Sequence, residues 1–168
     1  MNQITYTVLP TALGWVGIVA SPRGIRRLNL PLESPERAVQ GLGAEVAGAV
    51  LDPSLFEGLR LRLERYLSGE PVDFSDALDL GESAPFFHRA WQACASIPRG
   101  ETRTYTWLAS RAGSPRAIRA AGQAMARNPV SIIIPCHRVI ASDGSLCGYG
   151  GGLDLKQRLL DLERTAHQ

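Results

Sequence analysis

The chain opens on short apolar runs parted by turn residues and later changes to apolar residues at helical spacing. ITYTVL, LGWVGIVA and GIRRLNL are rich in β-branched and aromatic residues, and Pro10 and the Ser21-Pro22-Arg23-Gly24 turn separate them. That pattern predicts a small antiparallel sheet within the first 30 residues. Ser34-Pro35-Glu36 marks a helix start, with serine as the cap and proline in the first turn. The Gly- and Ala-rich stretch behind it predicts only a weak helix. A stronger one is expected over residues 54–67, where Leu55, Leu59, Leu63 and Leu67 recur at every fourth position between arginines and glutamates. Pro71–Phe74 reads as a further strand.

Near residue 82 the texture changes. Phe86, Phe87, Ala90, Trp91 and Cys94 fall at helical spacing and predict a core helix over 85–97, with Cys94 as a buried structural thiol. A boundary at 80–84 divides the chain into an N-terminal α/β lobe, residues 1–81, and a C-terminal, mostly helical lobe, residues 82–168. The predicted class is α+β. In the second lobe Thr104 can cap a helix running through Tyr105, Trp107, Leu108 and Ala112, which Gly113 ends. Ser114 and Pro115 are placed to cap and start a second helix over 115–127. Two helices joined by so short a turn predict a helix-turn-helix. Ile118, Ala121, Gly122 and Met125 share the face expected to pack inward. Arg116, Arg119, Ala120, Gln123 and Arg127 share the other, so arginines stand beside a methyl group that lets a partner approach the helix closely.

Charge sharpens this picture. The 168 residues are 45% hydrophobic and 20% charged, the balance of a soluble globular protein. Residues 51–84 hold eight acids and three arginines, a net of −5, whereas residues 99–128 hold six arginines and one acid, Glu101, a net of +5. That asymmetry points the second lobe at a polyanion. No apolar run approaches the roughly 20 residues that cross a bilayer, and no secretory signal is legible at the N-terminus. Three cysteines, Cys94, Cys136 and Cys147, form an odd and sparse set that predicts free thiols in a reducing compartment. Their spacing offers no metal site, and no cofactor motif is present.

The candidate chemistry lies in IIIPCHRVI, residues 132–140. An apolar run that reads as a buried strand stops at Pro135, and Cys136 and His137 follow side by side. A thiol of pKa about 8.5 needs a nearby base to become a nucleophile. Neighbours on an extended chain point to opposite sides, so a tight turn or one bridging water is needed to couple the pair. In GLDLKQRLLDLE, Leu155, Leu159 and Leu162 predict the buried stripe of a helix, and Glu163 falls on or beside it. A carboxylate turned toward a core needs a partner, and His137 can supply one in a Cys–water–His–Glu relay. Asn128-Pro129 joins the basic helix to the apolar run, where the asparagine can fix a turn. Gly148, Gly150, Gly151 and Gly152 surround Tyr149 in a loop open to a flat ligand, and no Gly-Lys-Ser/Thr follows to make it a phosphate loop. A Cys–His hydrolase fits the dyad as well, and a DNA-binding protein without chemistry fits the basic helix.

PCHRV, with GYGGG and LLDLE downstream and ETRTY and RNPV upstream, resembles the O6-alkylguanine–DNA alkyltransferases, which repair DNA by direct reversal. The resemblance is strong over residues 85–163 and covers only the general layout of residues 1–80. It implies irreversible transfer of an alkyl group from O6-alkylguanine, and from O4-alkylthymine, to Cys136. His137 and Glu163 would be the activating relay, Asn128 the hinge asparagine, and Tyr105 the tyrosine that helps rotate the nucleotide. Arg119 would fill the gap left in the base stack, with the second helix, including Ser114, Arg116, Ala120, Gln123 and Arg127, in the minor groove. Pro135, Val139, Tyr149 and Gly150 would line the lesion pocket, with the carbonyls of Cys136 and Val139 on the guanine edge. Some members carry serine where this chain has Gly150, and some bind zinc through ligands absent here. The implied partner is double-stranded DNA met by a monomer without a membrane, in the nucleoid-bearing cytoplasm if the source is a prokaryote. Related non-catalytic damage sensors carry tryptophan where Cys136 stands, which argues against that reading. The chemistry requires a sulfur at position 136 that is exposed and easily ionised.

Overall fold

A computed structural model describes residues 3–54 and 56–165. The chain divides into two compact units, Met1–Gly81 and Glu82–Gln168. In the first, β1 (Thr5–Thr11), β2 (Gly14–Ser21) and β3 (Gly24–Leu28) form an antiparallel meander. A two-residue strand, β4 (Val50–Leu51), adds in parallel to the free side of β1, giving the order β3-β2-β1-β4. Val16, Ile18 and Val19 of β2 are fully buried and form the centre of this core.

Helix α1 (Pro35–Gly41) starts as its sequence predicts: Ser34 Oγ accepts the Arg37 N–H at 3.1 Å, and Pro35 occupies the first turn. It lies close against β2. A Cβ added at Gly17 would stand 2.8 Å from the Ala38 carbonyl oxygen, so glycine is what permits the approach. Asn29 clamps the two elements, accepting the Gly17 N–H at 2.8 Å and donating to Ala38 O at 2.7 Å. Helix α2 (Glu57–Leu67) buries Leu59, Leu63, Tyr66 and Leu67; Leu55, expected on the same stripe, lies outside the described residues. The helix begins later than the pattern predicts because Asp52 takes both the N–H and the hydroxyl of Ser54 and holds that segment in a turn. Pro71–Phe74 is not a strand. Phe74 packs edge-on against Tyr66 at 5.6 Å, and Asp76 is locked by Arg62 through two bonds of 2.6 and 2.7 Å. Side-chain ties hold the segment in place of a ladder, and pairing with the sheet comes later, at the Ile25–Leu78 bridge.

The second unit contains α3 (Pro85–Ala95), β5 (Arg103–Thr104), α4 (Tyr105–Arg111), α5 (Ile118–Ala126), β6 (Val139–Ile140) and α6 (Leu153–Thr165). Trp91 on α3 donates its indole N–H to Ala124 O at 2.8 Å, and Arg89 donates to Ala112 O at 2.7 Å, tying α3 to both α5 and the end of α4. Thr104 caps α4 through its Oγ1, which accepts the Trp107 N–H at 3.0 Å. Gly113, at φ +89°, ends the helix in the left-handed conformation that glycine adopts without penalty. The second helix differs from expectation. Ser114 does not cap it; residues 114–117 make a turn of their own, closed by Ala117 N–H to Ser114 O at 2.9 Å, and α5 starts at Ile118. Its inward face is therefore Ala121, Ala124 and Met125, while Ile118 is 43% exposed. Among the described residues no helix is long and apolar enough to cross a membrane.

Candidate active site

The segment that delivers the thiol is a chain of turns. Asn128 Oδ1 accepts the Val130 N–H at 3.0 Å, and its Nδ2 donates to Ile134 O at 2.7 Å. Between them Ile132 sits at φ +75°, a strained conformation for a β-branched residue that costs on the order of 1–3 kcal/mol. The expected strand over 132–134 is thus absent. Val130, Ile132 and Ile134 are buried, and a fully enclosed turn shows the same unbroken apolar run as a strand covered on both faces. Pro135, also buried, leads into a single 3-10 turn, Cys136–Arg138. That turn removes the extended geometry that would have aimed Cys136 and His137 to opposite sides. The chain then enters β6, which pairs with β5 directly before Tyr105.

His137 and Glu163 are both fully buried, and Nε2 lies 2.7 Å from Glu163 Oε1. Glu163 stands near the end of α6, on the face that also buries Leu159 and Leu160; Leu155 and Leu162 are only half-buried. Arg138 forks onto the same carboxylate, with Nε at 3.1 and 3.0 Å from its two oxygens and Nη2 at 2.8 Å from Oε1. Its remaining nitrogen, Nη1, donates to Ile97 O at 2.6 Å. Burial alone would raise the Glu163 carboxyl, but the bonds from His137 and Arg138 hold it well below the usual carboxylate range. Burial lowers the imidazole despite the opposing pull of Glu163, so His137 is neutral at pH 7. With Glu163 ionised, the hydrogen bond requires the proton on Nε2, and Nδ1 is the basic nitrogen.

Cys136 is 7% exposed, and burial pushes its thiol above the ordinary value. Hydrogen bonds from Asn128 and Tyr149 and the charge of Lys156 act in the opposite sense without prevailing. The expectation of an exposed, easily ionised sulfur is therefore corrected: the resting thiol is sheltered and protonated, and it needs a base.

Two residues of this site were not assigned from the sequence. Arg138 is one; a charge inside an apolar run was the available signal. Lys156 is the other. It is fully buried, donates to Val139 O at 2.7 Å and to Cys147 O at 3.2 Å, and places its ammonium 5.8 Å from the Tyr149 ring and 6.0 Å from the Tyr105 ring. Its position seven residues before Glu163, on the same helix face, was the signal. Val139 O, expected on a guanine edge, thus already serves one donor, and the Cys136 carbonyl accepts the Val139 N–H. Tyr105 donates its hydroxyl to Cys147 O at 3.4 Å, and burial keeps that hydroxyl neutral by pushing its pKa up. Cys147 itself is exposed and contributes only its carbonyl; Gly150 is exposed, and a Cβ added there would meet nothing within 4 Å.

Arg116, Arg119, Gln123 and Arg127 are exposed, whereas Ser114 and Ala120 are half-buried. Arg127 lies over the Phe87 ring at 5.5 Å. Among the described residues none of these arginines has a carboxylate partner. The acidic segment of the first unit is instead paired locally, by Arg62 with Asp76, Arg65 with Glu70 and Arg60 with Glu64.

Residues 85–165 match the family described as 6-O-methylguanine DNA methyltransferase, DNA binding domain. The Methanosarcina barkeri protein named methylated-DNA–protein-cysteine methyltransferase is 40% identical over 161 residues, spanning 95% of this chain and 97% of its own. The protein of the same name from Mycobacterium tuberculosis is 46% identical over 114 residues, 68% of each chain. The crystal structure of Mycobacterium tuberculosis OGT in complex with DNA superposes with a TM-score of 0.83 at 36% identity, covering 96% of this chain and 94% of that one. Sequence likeness over nearly the whole length joins a buried imidazole–carboxylate pair, next in the chain to a buried thiol, in a unit that carries a basic helix-turn-helix, and the chain belongs to the methylated-DNA–protein-cysteine methyltransferase family.

Proposed function

We propose that this protein repairs DNA by direct reversal, moving an alkyl group from O6 of guanine, or O4 of thymine, onto Cys136 Sγ. The observation that carries the reading is the buried His137–Glu163 pair next to a sheltered thiol, in the unit whose outward helix is basic. The alkylated base must leave the stack to reach the sulfur, at a cost of a few kcal/mol. Arg119, exposed on α5, fills the vacated space, and Asn128 couples α5 to the turn that presents the sulfur.

His137 Nδ1 takes the thiol proton, directly or through one water, and the imidazolium formed is balanced by Glu163. The thiolate, a soft nucleophile, attacks the alkyl carbon in line. The S–C bond forms as the C–O bond breaks, and the electron pair passes to the departing base. Tyr105, kept neutral, donates a hydrogen bond to the base as it leaves, the proton held on His137 returns to that base through water, and the charge of Lys156 favours the thiolate. The resulting thioether has no carbonyl for water to attack and an unactivated C–S bond, so each molecule acts once. The protein works as a monomer on duplex DNA, in the nucleoid-bearing cytoplasm of a prokaryotic cell.

Arg119→Ala separates extrusion from chemistry. We expect transfer from a lesion in duplex DNA to fall at least tenfold, and reaction with free O6-benzylguanine to change little, measured as single-turnover rates on both substrates. Equal losses would contradict the stack-filling role, and an absence of transfer in the unaltered protein would contradict the function.

A further inference from the structure

The proposed function uses Arg119 of α5 and leaves a second cationic feature unexplained. Arg103 and Arg111 both lie over the ring of Trp107, their guanidinium carbons 5.7 and 5.9 Å from its centroid. Trp107 stands two residues after Tyr105, roughly 200° further around α4. Trp107 and Arg111, one turn apart, therefore share the face of α4 opposite the buried Leu108, Ala109 and Ala112, and Arg103 reaches the same ring from β5. Arg111 is exposed and, among the described residues, has no carboxylate partner. Arg103 meets Glu101 at 3.0 Å, with both side chains open enough for solvent to screen the pair. Glu101 is the one acid against six arginines in residues 99–128.

We infer that Arg103, Trp107 and Arg111 form a phosphate-binding ridge across β5 and α4, a second contact with the DNA backbone outside the recognition helix. Two guanidiniums beside one indole leave less of the ring open for a base to stack on. The indole is a good scaffold for charge: the ring holds two long side chains extended, so little conformational freedom is lost when they meet phosphates. The first helix of a helix-turn-helix crosses the backbone while the second enters a groove, which suits a ridge that carries charge and reads no sequence. The occupant is the duplex that α5 engages, so the inference rests on the repair reading above.

The test is the dependence of binding to undamaged duplex on salt. Each phosphate contact contributes roughly 0.9 to the slope of log Kobs against log salt. The Arg103→Gln/Arg111→Gln protein should show a slope shallower by roughly 1.8 than the unaltered protein. Arg111→Gln alone, at an exposed position, should be shallower by roughly 0.9, which serves if the double variant folds poorly. Arg158→Gln, an exposed charge on α6, should keep the original slope. Unchanged slopes in the ridge variants overturn the inference, and so does an equal change in Arg158→Gln, which would mean bulk charge. Alkyl transfer to Cys136 is followed in parallel on lesion duplex. Its absence in the unaltered protein sinks the function reading, whereas its presence with unchanged ridge slopes sinks the ridge alone.

Discussion

Cys136→Ala is expected to bind alkylated duplex within about threefold of the unaltered affinity and to acquire no alkyl group at any time. The sulfur lies inside the unit, and the DNA-facing side chains of α5 are elsewhere, so its removal leaves recognition intact. Stability should fall by about 1 kcal/mol, because one buried atom and its hydrogen bonds to Asn128 and Tyr149 are lost. Cys136→Ser is the sharper control. It retains a hydrogen-bonding atom, yet its hydroxyl is far less acidic and a hard nucleophile, so transfer should again be undetectable. Measurable transfer in Cys136→Ala would place the acceptor at another residue, and transfer in Cys136→Ser would show that a soft, acidic sulfur is not required. Gel-shift affinity, together with alkyl content of the recovered protein, gives both readouts from one sample.

Glu163→Ala should have the second largest effect, and it should appear in stability as well as rate. The carboxylate balances Arg138 and orients His137 inside the unit. Removing one partner of a buried pair leaves the other charge uncompensated, at a cost of about 3–5 kcal/mol. Losing an oriented base should slow transfer by roughly 10²–10⁴-fold. Glu163→Gln keeps the shape and an acceptor but not the charge; it should be the more stable of the two and nearly as slow. A Gln variant of full transfer rate would show that the carboxylate only packs.

The same two groups set the acid limb of stability. Folded His137 is held neutral below its usual pKa, so below about pH 6.5 the unfolded chain binds a proton that the folded one refuses, and stability falls as pH drops. Glu163, depressed in the fold, adds a further loss as pH falls through about 4.3. Both contributions have the same sign. In Glu163→Gln the lower portion should vanish, and urea titrations from pH 7 down to about pH 2 would show it.

Features legible in the sequence were those set by local chemistry. Ser34 before Pro35, Thr104 before α4 and Gly113 after it each satisfy backbone groups within a few residues, and each sits where its side chain predicts. Glu163 was legible because a carboxylate at the helical spacing of a leucine stripe demands a partner. Features set by tertiary packing were not. The run Ile132–Ile134 carries the same apolar signal whether it is a covered strand or an enclosed turn, and only the Asn128 clamp decides for the turn. Ser114 and Pro115 are good helix-start residues, but the chain spends them on a separate turn before α5. Lysine is read as a surface residue by default, and Lys156 is buried because two carbonyls and two aromatic rings receive it.

The most direct test is the mass of the intact protein after incubation with duplex DNA carrying a single O6-methylguanine. Irreversible transfer predicts a gain of one methylene per molecule, mapped by peptide fragmentation to Cys136 and rising to one equivalent with no turnover beyond it. An unchanged mass with the lesion intact, or a methylene mapped to Cys94 or Cys147, would contradict transfer to Cys136.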